Sequence, residues 1–175
     1  LRTHGAGNFQ APMVAIGQVA GGIVGTVDQA GLFEPVGAEL DRLAATIRGR
    51  GIRSVSGRVL GDESFYDKKR GAAGWKPYFV GGEAPPLSAL VVDRALGWPA
   101  LSPPLLAARA LRDALVRSGV SVAGRPGLGI APAEAASLAS DVSEPLARIV
   151  GRMNRESDNF YAEMVLKQLL AATGK

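Results

Sequence analysis

The apolar residues of this chain change their spacing near Trp98. Before it they come in short runs cut by glycine, the pattern of strands and tight turns. After it they recur every three or four residues, the pattern of amphipathic helices. Strand-like and helix-like patterns in one chain of 175 residues predict a mixed α/β (α+β) fold, in one domain or two small ones. A chain of this length can bury roughly 70% of its unfolded surface, so it needs no covalent staple.

Composition narrows the function. Hydrophobic residues at 47% and charged residues at 21% exclude a disordered chain. The 23 glycines and 11 prolines follow no period, which excludes collagen and predicts many turns. Cysteine is absent, so disulfides, thiolate zinc sites and a cysteine nucleophile are excluded, while neither a cytosolic nor an exported location is. The net charge of +4 comes with fifteen arginines and five lysines that are scattered along the chain. Their densest cluster, Lys68-Lys69-Arg70, lacks interleaved aromatics and reads as a solvated loop, so no nucleic-acid partner is expected.

Residues 5–27 carry no charge, and Gly17, Gly21 and Gly25 stand at the spacing of small-residue helix contacts. Asn8, Gln10, Pro12, Gln18 and Thr26 interrupt the stretch, and Arg2 alone makes no basic leader. Glycine-punctuated strands are therefore expected here, in place of a membrane helix or a signal peptide. The run Val14-Ala15-Ile16-Gly17 followed by Gly21-Gly22 does not have the G-x-G-x-x-G spacing of a dinucleotide turn. No cofactor is expected.

Val36, Leu40, Leu43, Ala44 and Ile47 recur at helical spacing, with Pro35 suited to the first turn and Gly49 and Gly51 ending the helix. A strand over 54–60, broken at Gly57, should follow, then a loop over 61–86 and a buried strand over 88–92. Ser102 and Pro103 open a second helix whose apolar stripe runs from Leu105 to Leu115. Gly119 closes it, and Val120-Ser121-Val122 starts a strand. A third helix is expected over 145–154 with Ser143 as N-cap and Leu146, Ile149, Val150 and Met153 on one face. A fourth, over 159–172, is apolar on most sides, which predicts a central place in a core.

Between the last two helices stands Ser157-Asp158-Asn159. Ser157 or Asp158 could simply cap the following helix. The same three residues also resemble the S-D-N element of penicillin-recognising serine acyltransferases. There the serine hydroxyl relays a proton to the leaving group, and the asparagine amide holds the substrate amide or a catalytic lysine. One intervening residue in a tight turn lets both side chains face one cleft.

The run SEPLARIVGRMNRESDNFYAEMVLK over 143–167 closely resembles the S13 serine peptidases. These are the D-alanyl-D-alanine carboxypeptidase/endopeptidases, or class C low-molecular-mass penicillin-binding proteins. The run GIRSVSGRVLGDESF over 51–65, Gly74-Trp75 and residues 88–90 are similar to the accessory region that this family inserts before its S-x-N motif. The resemblance covers about residues 32–175. It implies three segments: an unassigned glycine-rich stretch (1–31), an accessory inserted α/β unit (32–97) and the helical part of a β-lactamase/transpeptidase-like domain (98–175). It also implies an acyl-enzyme route in which Ser157 and Asn159 are catalytic and substrate-binding and Asp158 shapes the turn. The implied partners are peptidoglycan stem peptides ending in D-Ala-D-Ala and, for the whole protein, β-lactams. No metal is implied, and the implied location is the periplasm or the cell surface of a bacterium.

No serine of the chain has lysine three residues on, so the family's S-x-x-K nucleophile is missing. K-T-G is missing too; Thr173-Gly174-Lys175 has its letters in another order. Truncation at both ends accounts for both losses together, and a non-catalytic wall-binding or interaction module of the same shape is the alternative. Other chemistry has little to build on. His4 is the sole histidine and no G-x-S-x-G elbow exists for a triad. Asp62, Glu63 and Asp67 read as a solvated loop and not as metal ligands, and Trp75 as core packing.

Overall fold

The computed structural model describes residues 9–11, 14–17, 37–95, 98–141 and 145–173. Among the described residues six short strands pair in parallel as two three-stranded sheets: β1 (Phe9–Ala11), β3 (Ile52–Val55) and β5 (Ser121–Val122) in one, β2 (Val14–Gly17), β4 (Val59–Asp62) and β6 (Gly127–Leu128) in the other. Their orders, β1-β3-β5 and β2-β4-β6, place β3 and β4 in the middle. Phe9 stands opposite Ile52, Val14 opposite Val59, Val55 opposite Val122 and Leu60 opposite Gly127. The break expected at Gly57 lies between β3 and β4, and the glycine-punctuated strands expected within 5–27 appear as β1 and β2. The remainder of that stretch, with Pro35 and His4, lies outside the described residues. Among the described residues no helix is long and apolar enough to cross a membrane.

Parallel neighbours need long crossovers, usually helical. Helix α1 (Ala38–Gly49) lies between β2 and β3 in the chain, and α3 (Pro103–Arg117) between β4 and β5. Both connections step the same way across the strands, and both helices pack on one side of them in the first core. There α1 supplies Leu40, Ala44 and Ile47, and α3 supplies Ala107, Ala108, Leu111, Ala114 and Leu115, all buried against Val55, Val59 and Val120. Each fully buried Leu or Val contributes about 1.5–3 kcal/mol over exposure, so this face dominates the stability of the unit. Helix α3 starts so close to β4 that a Cβ on Gly61 would lie 2.0 Å from the Pro104 carbonyl oxygen. It ends at Ser118, followed by Gly119 in the left-handed region.

Residues 88–92 are buried as expected but form no strand. Leu90 and Val92 enter the first core; Leu87, Ala89 and Val91 enter a second one with Tyr66, Ala84, Ala95, Phe160 and Met164. A segment buried on both sides shows the apolar run of an inner strand without being paired to one. The loop over 61–86 includes a single kinked helical turn, α2 (Phe79–Gly82).

Helices α4 (Leu146–Glu156) and α5 (Asn159–Thr173) form the hairpin expected from the sequence. Pro145 is the N-cap of α4; Ser143 lies outside the described residues. The expectation that α5 is central in a core does not hold. Phe160, Tyr161 and Met164 are buried, but Leu166, Leu169 and Leu170 stay about half-exposed. Helix α4 buries none of its residues, and its Leu146 is about half-exposed too. The apolar periphery of α5 was legible, but Leu166, Leu169 and Leu170 are left largely open to solvent among the described residues.

Candidate active site

The hairpin turn is built by its own sequence. Ser157 ends α4 in the left-handed region (φ 53°, ψ 40°). Its conformation lets the Asp158 N–H reach back to the Met153 carbonyl at 3.0 Å, the closing bond of a Schellman-type stop. Asp158 then opens α5. Its carboxylate Oδ1 accepts the Tyr161 N–H at 3.1 Å, and its carbonyl accepts the Ala162 N–H at 3.2 Å. The cap is therefore Asp158 and not Ser157. Ser157 and Asn159 flank it, both exposed, and neither side chain hydrogen-bonds another described residue. A hydroxyl and an amide thus stand two positions apart on one turn, with donors and acceptors open to a ligand.

The other oxygen of Asp158 leaves the hairpin. Oδ2 accepts from Arg94 at 3.1 Å, and the Arg94 guanidinium lies 5.6 Å over the Phe160 ring. Arg94 sits in an unusual turn: Asp93, Arg94 and Ala95, none of them glycine, all have positive φ, at 50°, 49° and 57°. Such a residue typically costs about 1–3 kcal/mol, so the surroundings must hold three in a row. Val92 and Ala95 are buried, the Val92 carbonyl accepts the Ala95 N–H at 2.9 Å, and the Ala95 carbonyl accepts the Trp98 N–H at 3.0 Å.

Further along, α5 is tied to the 63–70 loop. The Tyr66 hydroxyl donates to Gln168 Oε1 at 2.6 Å, and the Lys167 ammonium pairs with Asp67. That hydrogen bond from Lys167 holds the Asp67 carboxyl below its ordinary range against the opposing effect of burial. The neighbouring acids are engaged separately. Burial pushes Asp62 up, but hydrogen bonds from Ser64 and from the Ala131 N–H outweigh it and leave the carboxyl lowered. Burial likewise raises Glu63; the Arg70 fork at 2.6 and 2.9 Å and the Ser88 hydroxyl at 2.7 Å overcome it. Among the described residues no group of three or more such side chains could hold a metal. Trp75 packs against the second core.

Asp93, in the same left-handed turn, borders a cavity of about 300 Å³ with Val92, Leu106, Arg109, Ala110 and Asp113. Burial, then the charge of Glu39, raises the Asp93 carboxyl above its ordinary range. Its buried Oδ1 and Glu39 Oε2 have no hydrogen-bond partner among the described residues.

Ser157, Asp158 and Asn159 are thus brought into one turn, and sequence reasoning missed Arg94, which reaches it from 64 positions away. The model of the D-Ala-D-Ala carboxypeptidase 3 (S13) family matches residues 24–104 and 99–175, which include both cores and the turn. The chain belongs to this family. This S13 chain is 32% identical over 146 residues to carboxypeptidase DacB of Mycolicibacterium smegmatis. The match takes in 79% of the S13 chain and 31% of DacB, so the chain spans about a third of that relative's length.

Proposed function

We propose that this chain is part of a serine-type D-Ala-D-Ala carboxypeptidase/endopeptidase that acts on peptidoglycan peptides outside the cytoplasm, in the periplasm or at the cell surface. Residues 9–141 are its inserted accessory α/β unit, and α4–α5 belong to its transpeptidase-like domain. That α3 and Val122 of β5 share the first core with α1, β3 and β4 supports taking residues 98–141 together with the accessory unit. The exposed apolar side chains of α4 (Leu146) and α5 (Leu166, Leu169 and Leu170) are where the rest of that domain packs.

In the acylation step a serine supplied from outside this chain bonds to the carbonyl carbon of the penultimate D-Ala. The peptide C–N bond breaks, and the serine proton ends on the departing amine of the terminal D-Ala. Water then hydrolyses the ester. Ser157 carries the proton toward the leaving nitrogen, and Asn159 holds the substrate amide. The observation that carries this reading is that Asp158 alone caps α5, which leaves Ser157 and Asn159 exposed beside it in an S13 chain.

Ser157→Ala in the full-length protein separates the roles. Loss of a proton relay slows acylation by labelled penicillin on the order of 10²–10⁴-fold, with the melting temperature nearly unchanged because Asp158 keeps the cap. A wild-type acylation rate would refute the assignment.

A further inference from the structure

The cap and the anchor of the S-D-N turn use the same carboxylate. Asp158 Oδ1 satisfies the first turn of α5, and Oδ2 is taken by Arg94, which belongs to the segment that threads between the two cores. The Asp158 side chain is 13% exposed and that of Arg94 29%, so the pair is largely withdrawn from water. Phe160, stacked under the guanidinium, is the next residue but one and almost wholly buried. Cap, ion pair and ring contact together fix the turn in three directions. Arg94 itself is presented by a left-handed backbone (φ 49°, ψ 26°) that an arginine rarely adopts. A fold retains such a turn where its surroundings over-determine it, and strained residues of this kind cluster at functional sites.

We propose that Arg94 is a positioning residue for acyl transfer: through Asp158 it sets where Ser157 and Asn159 stand, and so couples the accessory unit to the chemistry. The proposal rests on the assignment of Ser157 and Asn159 above. Arg94 need not touch substrate, since its grip is on the turn. A shift of about 1 Å in reacting groups can cost on the order of 10²-fold in rate.

The test uses the full-length protein and labelled penicillin, with the acylation rate at saturation and the half-saturating concentration measured separately. Arg94→Gly removes the side chain while suiting the left-handed backbone, so the fold is kept. Asp158→Asn keeps the cap, which asparagine makes equally well, but loses the ion pair. Each is expected to slow the saturating rate roughly 10- to 100-fold with little change in half-saturation. The double variant should be no slower than the slower single one, and Arg94→Lys should recover part of the rate. Wild-type rates in both single variants, or losses that multiply in the double variant, would overturn the proposal. Ser157→Ala runs alongside. If it slows acylation while Arg94→Gly and Asp158→Asn do not, positioning by Arg94 is wrong and the site assignment stands. If Ser157→Ala is silent, the assignment fails and the proposal with it.

Discussion

A methyl group added at Gly61 should unseat α3. Gly61 lies in β4, and its ideal Cβ would stand 2.0 Å from the Pro104 oxygen and 2.6 Å from the Pro104 carbonyl carbon. Both are backbone atoms in the first turn of α3, so no side chain can swing aside. Ordinary contact begins at 3.4 Å; the difference from 2.0 Å means the helix must retreat by about 1.4 Å. That movement loosens Leu111 and Leu115 against Val55 and Val59, the centre of the first core. Overpacking of this kind typically costs about 1–3 kcal/mol, and a clash with backbone on both sides belongs at the upper end. For a chain of this size about 3 kcal/mol lowers the melting temperature by roughly 6–12 °C. Gly151, inside α4, is the matched control, because nothing lies within 4 Å of its Cβ position. Gly151→Ala should stabilise by up to about 1 kcal/mol through helix propensity alone. Circular dichroism melts of the two variants beside the wild type read both effects. If Gly61→Ala melts within a degree or two of wild type, the close approach of α3 to β4 is wrong.

Three further outcomes are expected. The 175-residue chain alone should gain no acyl mass on incubation with penicillin, since no serine has its activating lysine; a stoichiometric adduct in intact-mass spectra would show a nucleophile elsewhere. Glu63→Gln should destabilise by about 3 kcal/mol, because it leaves the largely buried Arg70 without its carboxylate. The Glu63 carboxyl is lowered in the fold, so its contribution is full above pH 4.5 and fades as pH falls through the folded value; urea midpoints of variant and wild type should therefore converge on acidification. Asp93→Asn should stabilise at pH 7, because burial and Glu39 disfavour the charge there. Its advantage should vanish as acid protonates the wild-type carboxyl, and a variant less stable than wild type at neutral pH would contradict the direction of that effect.

Much of this architecture was legible because its signals are local. Gly49, Gly57 and Gly119 mark ends and breaks that the backbone respects, and Ser102-Pro103 opens α3 where a cap and a first-turn proline belong. The turn at Ser157 was legible for the same reason, as a polar gap between two apolar stripes. Segment 88–92 was not, because alternation between two cores leaves the same apolar run as a strand in a ladder. The exposure of Leu166, Leu169 and Leu170 was not either, since an apolar surface in a sequence says what should be covered and not what covers it. Arg94 gave no signal at all. No glycine or asparagine announces its left-handed turn, and its partner Asp158 is remote in sequence.

The most direct test of the catalytic assignment is a crystal structure of the full-length protein acylated by penicillin. Ser157 Oγ and the Asn159 side-chain amide should both stand within about 2.6–3.2 Å of polar atoms of the adduct or of the catalytic lysine. An adduct whose polar atoms are met by other side chains, with the turn of Ser157 facing away from the cleft, would contradict the account.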